Sequence, residues 1–309
     1  MSSPEKFNTW QQKQTQVAQL DYEYAWYAHL NSLSDDLKAI INNIDTLDGL
    51  NRTQVDDLIN QLLGVQNVRY SQAKRLLMLL LGYFSDYISY TEAVGLGVTP
   101  SKGLIERLRD IPISASGMVL SAHIDNLTEY SNKKLDNSVR FAWANKQTGQ
   151  ELRDKVIGTA VAKYKDGLIH DQKVKSRAMI DTAVQQVYNH SKAETWGDNG
   201  GYKYRQLATL DHSTTDLCRN LDGNLYTYDS PDARVPPFHY YCRTVMIPEL
   251  SEGFDWLREG RTRSSMYGPT DANQTYDEWL KDNPMPDDWQ APKRPNRRRN
   301  KDIKVEELN

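Results

Sequence analysis

The chain has 309 residues, with 26% charged and 39% hydrophobic side chains and a formal net charge of -3. Its mean hydropathy of -0.72 is strongly hydrophilic. These values describe a globular chain with room for one large domain or two medium ones, and they exclude a membrane protein, a disordered chain and a polycation. With only two cysteines it is no disulfide scaffold, which points to a reducing cytoplasm as the place of synthesis.

The polar start, MSSPEKFNTWQQKQTQ, has no apolar stretch behind it and is not read as a signal peptide. Apolar and aromatic residues at Val17, Leu20, Tyr24, Tyr27 and Leu30 predict a helix from Glu5 to about Asn31. Tyr22, Tyr24, Trp26 and Tyr27 cannot all face one core, so this cluster either fills the interior or meets a partner. Ser34 followed by Asp35 and Asp36 reads as the next helix start. Thr53 begins another, which Gly64 ends. The span from about Ser71 to Glu92 is the longest helical candidate, and its run LLMLLLGYF is roughly half the ~20 residues a membrane span needs. It is assigned to the middle of a bundle.

Gly95, Gly97, Pro100 and Gly103 interrupt the pattern. Helices are then predicted at Leu120–Ala144, Leu152–Tyr164 and Lys173–Trp196, the last with Met179, Ile180, Ala183, Val184, Val187 and Tyr188 on one face. After DNGG the composition shifts to Asp, Gly, Pro and Tyr, with short strand candidates in YKYRQL, NLYTY and RTVMIP. Polar connectors, a short helix at Tyr276–Lys281 and a basic tail complete the chain. The expected fold is α+β and mainly α. Its divisions are a helical region over 1–149, a helical hairpin and small irregular module over 150–250, and an extended region over 251–309.

Chemistry concentrates in two loop segments, TLDHSTTDLCRNLDG and PPFHYYCR. His239 and Cys242 form an H-x-x-C half-site, and Cys218 lies upstream with Thr215 where a C-x-x-C partner would stand. Cys and His ligands in two short loops suit structural zinc, and Asp211, His212 or Asp216 could supply a fourth donor. Two other readings stay open: buried reduced thiols, or a disulfide closing a loop of about 25 residues. No H-E-x-x-H, zinc-deaminase, G-x-S-x-G or P-loop pattern occurs, and no third group orients a Cys–His nucleophile pair. The chain is read as non-enzymatic. Arg177 and Arg243 are expected to pair with acids such as Asp211 or Asp222. Asp222-Gly223 reads as a turn, and Pro236-Pro237 as an extended lead into His239. Lys293, Arg294, Arg297, Arg298, Arg299 and Lys301 form an acid-free run that either contacts phosphate or is a solvated tail.

The ordered set Leu210-Asp211, Thr214, Cys218, Leu221-Asp222-Gly223, Pro236-Pro237, His239 and Cys242-Arg243 resembles the signature of phage head morphogenesis (Mu F-like) minor head proteins. That family carries D-x-x-T-C-x-x-C-x-x-L-D-G followed by P-P-x-H-P-x-C-R-C. SRAMIDTAVQQVYNHSKAETW looks like the helix before this module, where Arg177 and Thr182 match the pattern, and TYDEWLKDNP is similar to a segment near its end. The resemblance spans roughly residues 150–285. This chain departs at Thr215, Tyr240 and Thr244, so two of the family's four thiols are absent. The resemblance implies a minor capsid protein of a tailed bacteriophage, made in the host cytoplasm. It would be carried in the virion at the portal vertex inside the head, and would assist head assembly, DNA packaging or ejection. Implied partners are the portal protein, double-stranded DNA, and scaffold or major capsid protein, with no membrane. The alternatives are a zinc- or cysteine-dependent hydrolase using Cys218, His239 and Cys242, and a nonspecific DNA-binding protein acting through the tail.

Overall fold

The structure is a computed structural model and describes residues 4–201, 203–228, 230–249, 262–271 and 273–286. Among these are eight helices: α1 (Pro4–Ile41), α2 (Arg52–Leu96), α3 (Leu104–Leu108), α4 (Leu120–Ala144), α5 (Gly149–Ile157), α6 (Leu168–Asp198), α7 (Asp216–Leu221) and α8 (Tyr276–Asp282). The strands are β1 (Lys203–Leu207), β2 (Leu225–Thr227), β3 (Val245–Glu249), β4 (Thr262–Ser265) and β5 (Gly268–Asp271). The fold is mainly α with small antiparallel sheets, as expected.

The first two helices are longer than the sequence suggested. Ser34, Asp35 and Asp36 start no helix; they lie inside α1, because Leu33 and Leu37 on either side are fully buried and Asp36 pairs with Arg69 of α2 at 2.7 Å. The buried stripe of α1 is also rotated from the expected one and runs Ala18, Tyr22, Trp26, Leu30, Leu33, Leu37, Ile41. Tyr22 and Trp26 therefore fill the core while Tyr24 faces outward. Gly64 does not stop α2. A helix-interior glycine costs only ~1 kcal/mol, and the buried Leu62, Gln66 and Tyr70 hold the helix on both sides. The true stop is Gly97, left-handed at φ 69°, whose N–H bonds Ala93 O. The upstream start is a capping box of Asn51 with Gln54.

The middle of the bundle is α6, not α2. From Met179 to Ala193 every residue of α6 is buried, whereas α2 exposes Leu79, Tyr83, Tyr90 and Val94. Two buried polar residues of α6 bond the backbone at β3 and just before it. Gln185 Nε2 donates to Thr244 O at 3.0 Å and Lys192 Nζ to Met246 O at 2.9 Å. Lys192 also lies 3.5 Å from the buried Glu92 of α2, which accepts Trp196 Nε1–H at 2.9 Å. Strand order is β2-β1-β3, antiparallel throughout, with Tyr204 opposite Tyr226 and Arg205 opposite Ile247. The β4–β5 hairpin falls where only polar connectors were expected. One apolar cluster extends from Ala18 to Ile247 and takes in both sides of position 150.

Candidate metal centre and its supporting loops

Two local structures place the cysteines and histidine. The upstream one is α7, whose N-cap is Thr215, so Cys218 sits one turn in, buried with Ala208, Cys242 and Phe238. The downstream one is a tight turn in which Cys242 N–H bonds His239 O at 3.1 Å. Tyr241 within that turn has φ 61°, a left-handed conformation that costs a side chain roughly 1–2 kcal/mol. The preceding Pro236–Pro237 bond is cis.

These loops bring Cys218 Sγ to 3.8 Å from Cys242 Sγ and 3.1 Å from His239 Nε2. All three candidate ligand atoms lie within 4.8 Å of one another. Two thiolates on one tetrahedral zinc, each about 2.3 Å from the metal, sit about 3.8 Å apart. The sulfur pair already has that spacing. His239 Nδ1 lies 2.8 Å from Tyr240 O. A carbonyl only accepts, so the proton is on Nδ1 and the Nε2 lone pair faces the sulfurs, as a metal-binding histidine requires. Both cysteines are free and 3% exposed, without being joined as a disulfide.

Electrostatics separates the two thiols. The hydrogen bond from Cys218 is the chief influence pulling Cys242 well below the ordinary thiol range, against burial and with help from His239. Cys218 is pushed up by the same bond and by burial. Hydrogen bonding to Cys242 also raises the His239 pKa against desolvation. Two buried thiols and a half-buried imidazole thus share one site, and their donor types suit a soft or borderline cation.

Asp211 does not join them. Arg243 grips both of its carboxylate oxygens, and Thr214 Oγ1 adds a bond at 3.2 Å. Burial disfavours its charge, but Arg243, Thr214 and the Ser213 N–H outweigh that and hold its pKa below normal. A carboxylate so occupied is a strut. His212 is also committed elsewhere, with Nε2 3.0 Å from Asn283 O. Thr215 borders the three residues instead, with its Oγ1 3.0 Å from His239 Nε2. Thr244 is buried beside Cys218. The two positions where the family pattern has cysteine therefore still flank the site. A cleft of about 140 Å³, lined by Ser213, Thr214, Thr215, His239 and Arg243 among others, opens onto it.

The remaining assigned residues separate into supports. Arg243 pairs with Asp211 as expected. Arg177 instead meets Glu23 at 3.5 Å and Asp181 at 4.0 Å, tying α6 to α1. Thr182 is buried and bonds Ala178 O within α6. Gly223 has φ 76°, and its N–H reaches Gln206 O. Asp222 does more than turn the chain. Its carboxylate accepts Ala208 N–H and Tyr276 N–H, each at 2.8 Å, and both nitrogens of the Arg263 fork. The side chains of Arg263 and Asp222 are 1% and 2% exposed. Arg263 carries no sequence signal; TRSS resembles any polar connector. His123 of α4, stacked 5.6 Å from the Tyr240 ring, was equally silent. The basic residues Lys293, Arg294, Arg297, Arg298, Arg299 and Lys301 lie outside the described residues.

Among the described residues no helix is long and apolar enough to cross a membrane. Comparison with curated proteins and with solved structures returned no significant match. Residues 146–247 match the family model described as Phage Mu protein F like protein, from just before α5 to β3. The match covers about a third of the chain and takes in the loop motifs from which the resemblance was read, so residues 146–247 are similar to Phage Mu protein F like proteins.

Proposed function

We propose that this protein is a minor capsid protein of a tailed bacteriophage, held at the portal inside the head, where it assists assembly, DNA packaging or ejection. The observation that carries the reading is the coincidence of the family segment, 146–247, with the central helix α6 and both loops of the Cys/His site. A portal-bound protein needs a rigid body, and α6 supplies one: it packs on α1, α2, α4 and α5 and carries the sheet on its polar side chains.

In this reading Cys218, His239 and Cys242 hold a structural metal ion, with zinc matching the two-sulfur, one-nitrogen donor set. Bound there, the ion supplies cross-linking energy between two loops that have little regular structure of their own. His239 is oriented by Tyr240 O, and Asp211 and Asp222 fix the loops from either side. The protein acts as a non-enzymatic part of the head.

The test is co-expression with the portal subunit encoded by the same phage, followed by pull-down and sedimentation. Recovery with ring-shaped portal oligomers, and presence in procapsids, is expected. Absence from both would sink the assignment. The cleft beside the site favours a second reading, a hydrolase with an open coordination position. Turnover of ester or peptide substrates that is lost in Cys218→Ser and His239→Ala would select it.

A further inference from the structure

The solvent side of α2 is apolar where such a face is ordinarily charged. Leu79, Tyr83, Tyr90 and Val94 are each between 53% and 66% exposed. They follow one another at steps of four, seven and four residues. At 3.6 residues per turn those steps keep them within about a sixth of the circumference, along about 22 Å of helix. Asp86 and Tyr87 flank the stripe on either side and are exposed as well. Between Leu76 and Leu96 the helix holds no lysine or arginine and two acids, Asp86 and Glu92. Glu92 is buried and lies 3.5 Å from Lys192, so Asp86 is the one exposed charge on this length of α2.

The chemistry narrows what can cover such a face. A polyanion or an anionic membrane surface calls for cations, which this length of α2 lacks. The basic run at 293–301 calls for several carboxylates, and Asp86 is only one. What fits is another apolar, tyrosine-rich protein surface. The stripe itself supplies that complement. Leu79 and Val94, and inside them Tyr83 and Tyr90, are disposed symmetrically about the point between Asp86 and Tyr87. Turned end for end about that point, a second copy lays Leu79 against Val94 and Tyr83 against Tyr90, twice each. Contacts between identical surfaces need this self-complementarity. With Tyr87, these side chains expose roughly 500 Å² per copy. A pair removes roughly 1,000 Å² from water, the lower bound for a specific interface. An area of that size suits an affinity on the order of 10 µM.

We propose that α2 pairs with α2 of a second copy of this chain, antiparallel about a two-fold axis at residues 86 and 87. Residues beside the axis meet their own copies. Tyr87 meets Tyr87 on one rim, and on the other the two Asp86 carboxylates come together, an exposed like-charge contact that keeps the affinity modest. The pairing goes beyond the head-protein reading and does not rest on it.

The test is sedimentation equilibrium of the full reduced chain from about 1 to 100 µM, a range that brackets the expected affinity. The parent is expected to pass from monomer to dimer. Tyr83→Lys with Tyr90→Lys sets like charges opposite each other and should weaken pairing at least about tenfold. Tyr83→Lys with Tyr90→Glu, in one chain, sets each new cation opposite an anion of the other copy and should regain at least about fivefold of that loss. Asp86→Asn should tighten pairing about twofold or more at low salt. Should the double lysine variant fail to fold, Leu79→Gln with Val94→Gln is expected to weaken pairing at least about threefold. A parent that is monomeric at about 100 µM would overturn the proposal, and loss of portal pull-down in the double lysine variant would then assign the face to another protein. Pairing of the double lysine variant at the parent's strength, no gain from the lysine–glutamate combination, or weaker pairing of Asp86→Asn would each overturn it too. Self-association is read without the portal, so failure here and failure of the head-protein reading are separable.

Discussion

Cys218 Sγ and Cys242 Sγ lie 3.8 Å apart although twenty-four positions separate them in the chain. Nothing covalent joins them. The spacing equals the edge of a zinc–thiolate tetrahedron, about 3.8 Å. Protein purified under reducing conditions is therefore expected to carry about one equivalent of zinc by elemental analysis. Cys218→Ser and His239→Ala should each lose most of it, and chelation should lower the melting temperature of the parent chain. Metal-free protein whose melting temperature ignores both zinc and chelator would remove the metal from the account.

Thr215 tests the same geometry from another side. Its Oγ1 already reaches His239 Nε2 at 3.0 Å, and hydroxyls are weak zinc ligands. Thr215→Cys should place a third sulfur beside the Cys/His cluster and slow zinc loss to a competing chelator by at least an order of magnitude. Retention no better than that of the parent would mean that Thr215 does not face the metal.

Arg263 and Asp222 form the ion pair with the least exposed side chains around the site. Asp222 also holds Ala208 N–H and Tyr276 N–H. Removing the guanidinium strands a buried carboxylate, a change that typically costs about 3–5 kcal/mol. Arg263→Met should shift the urea midpoint accordingly and loosen α8, which is anchored through Tyr276. A shift of less than about 1 kcal/mol would show the pair to be no better than a surface one.

His190 predicts an acid-side loss of stability away from the cysteines. Burial in α6 pushes its pKa down to about 4 from an ordinary 6.5. As pH falls below 6.5 the unfolded chain takes up a proton that the folded one refuses. Stability therefore declines by about 1.4 kcal/mol per pH unit until the folded group titrates near pH 4. Across that window the loss is about 3 kcal/mol. His190→Gln should flatten this part of the curve of melting temperature against pH. Parallel curves for parent and variant from pH 7 to 4 would refute the assignment.

Where the sequence was read correctly, the information was local. Leu120–Ala144 is a helix with those bounds because its buried positions recur every three or four residues between clear breaks. Local spacing also placed β1, β2, β3 and α8. The convergence of Cys218, His239 and Cys242 was legible because residue type limits which chemistry three such ligands share. The errors were also local. The Ser34-Asp35-Asp36 signal and the Gly64 break are worth about 1 kcal/mol each, and several fully buried side chains in α1 and α2 outweigh them.

The sequence by itself determined the helical class, the family resemblance and the three residues of the Cys/His cluster, since each depends on residue type within local motifs. Only the tertiary structure decided that α6 is the central helix, that Asp211 is a strut and not a ligand, and that Arg263 is the partner of Asp222. Those outcomes depend on which distant groups meet in a dry interior. There a charge takes whatever counter-charge the packing brings to it, and no periodicity in the chain encodes that choice.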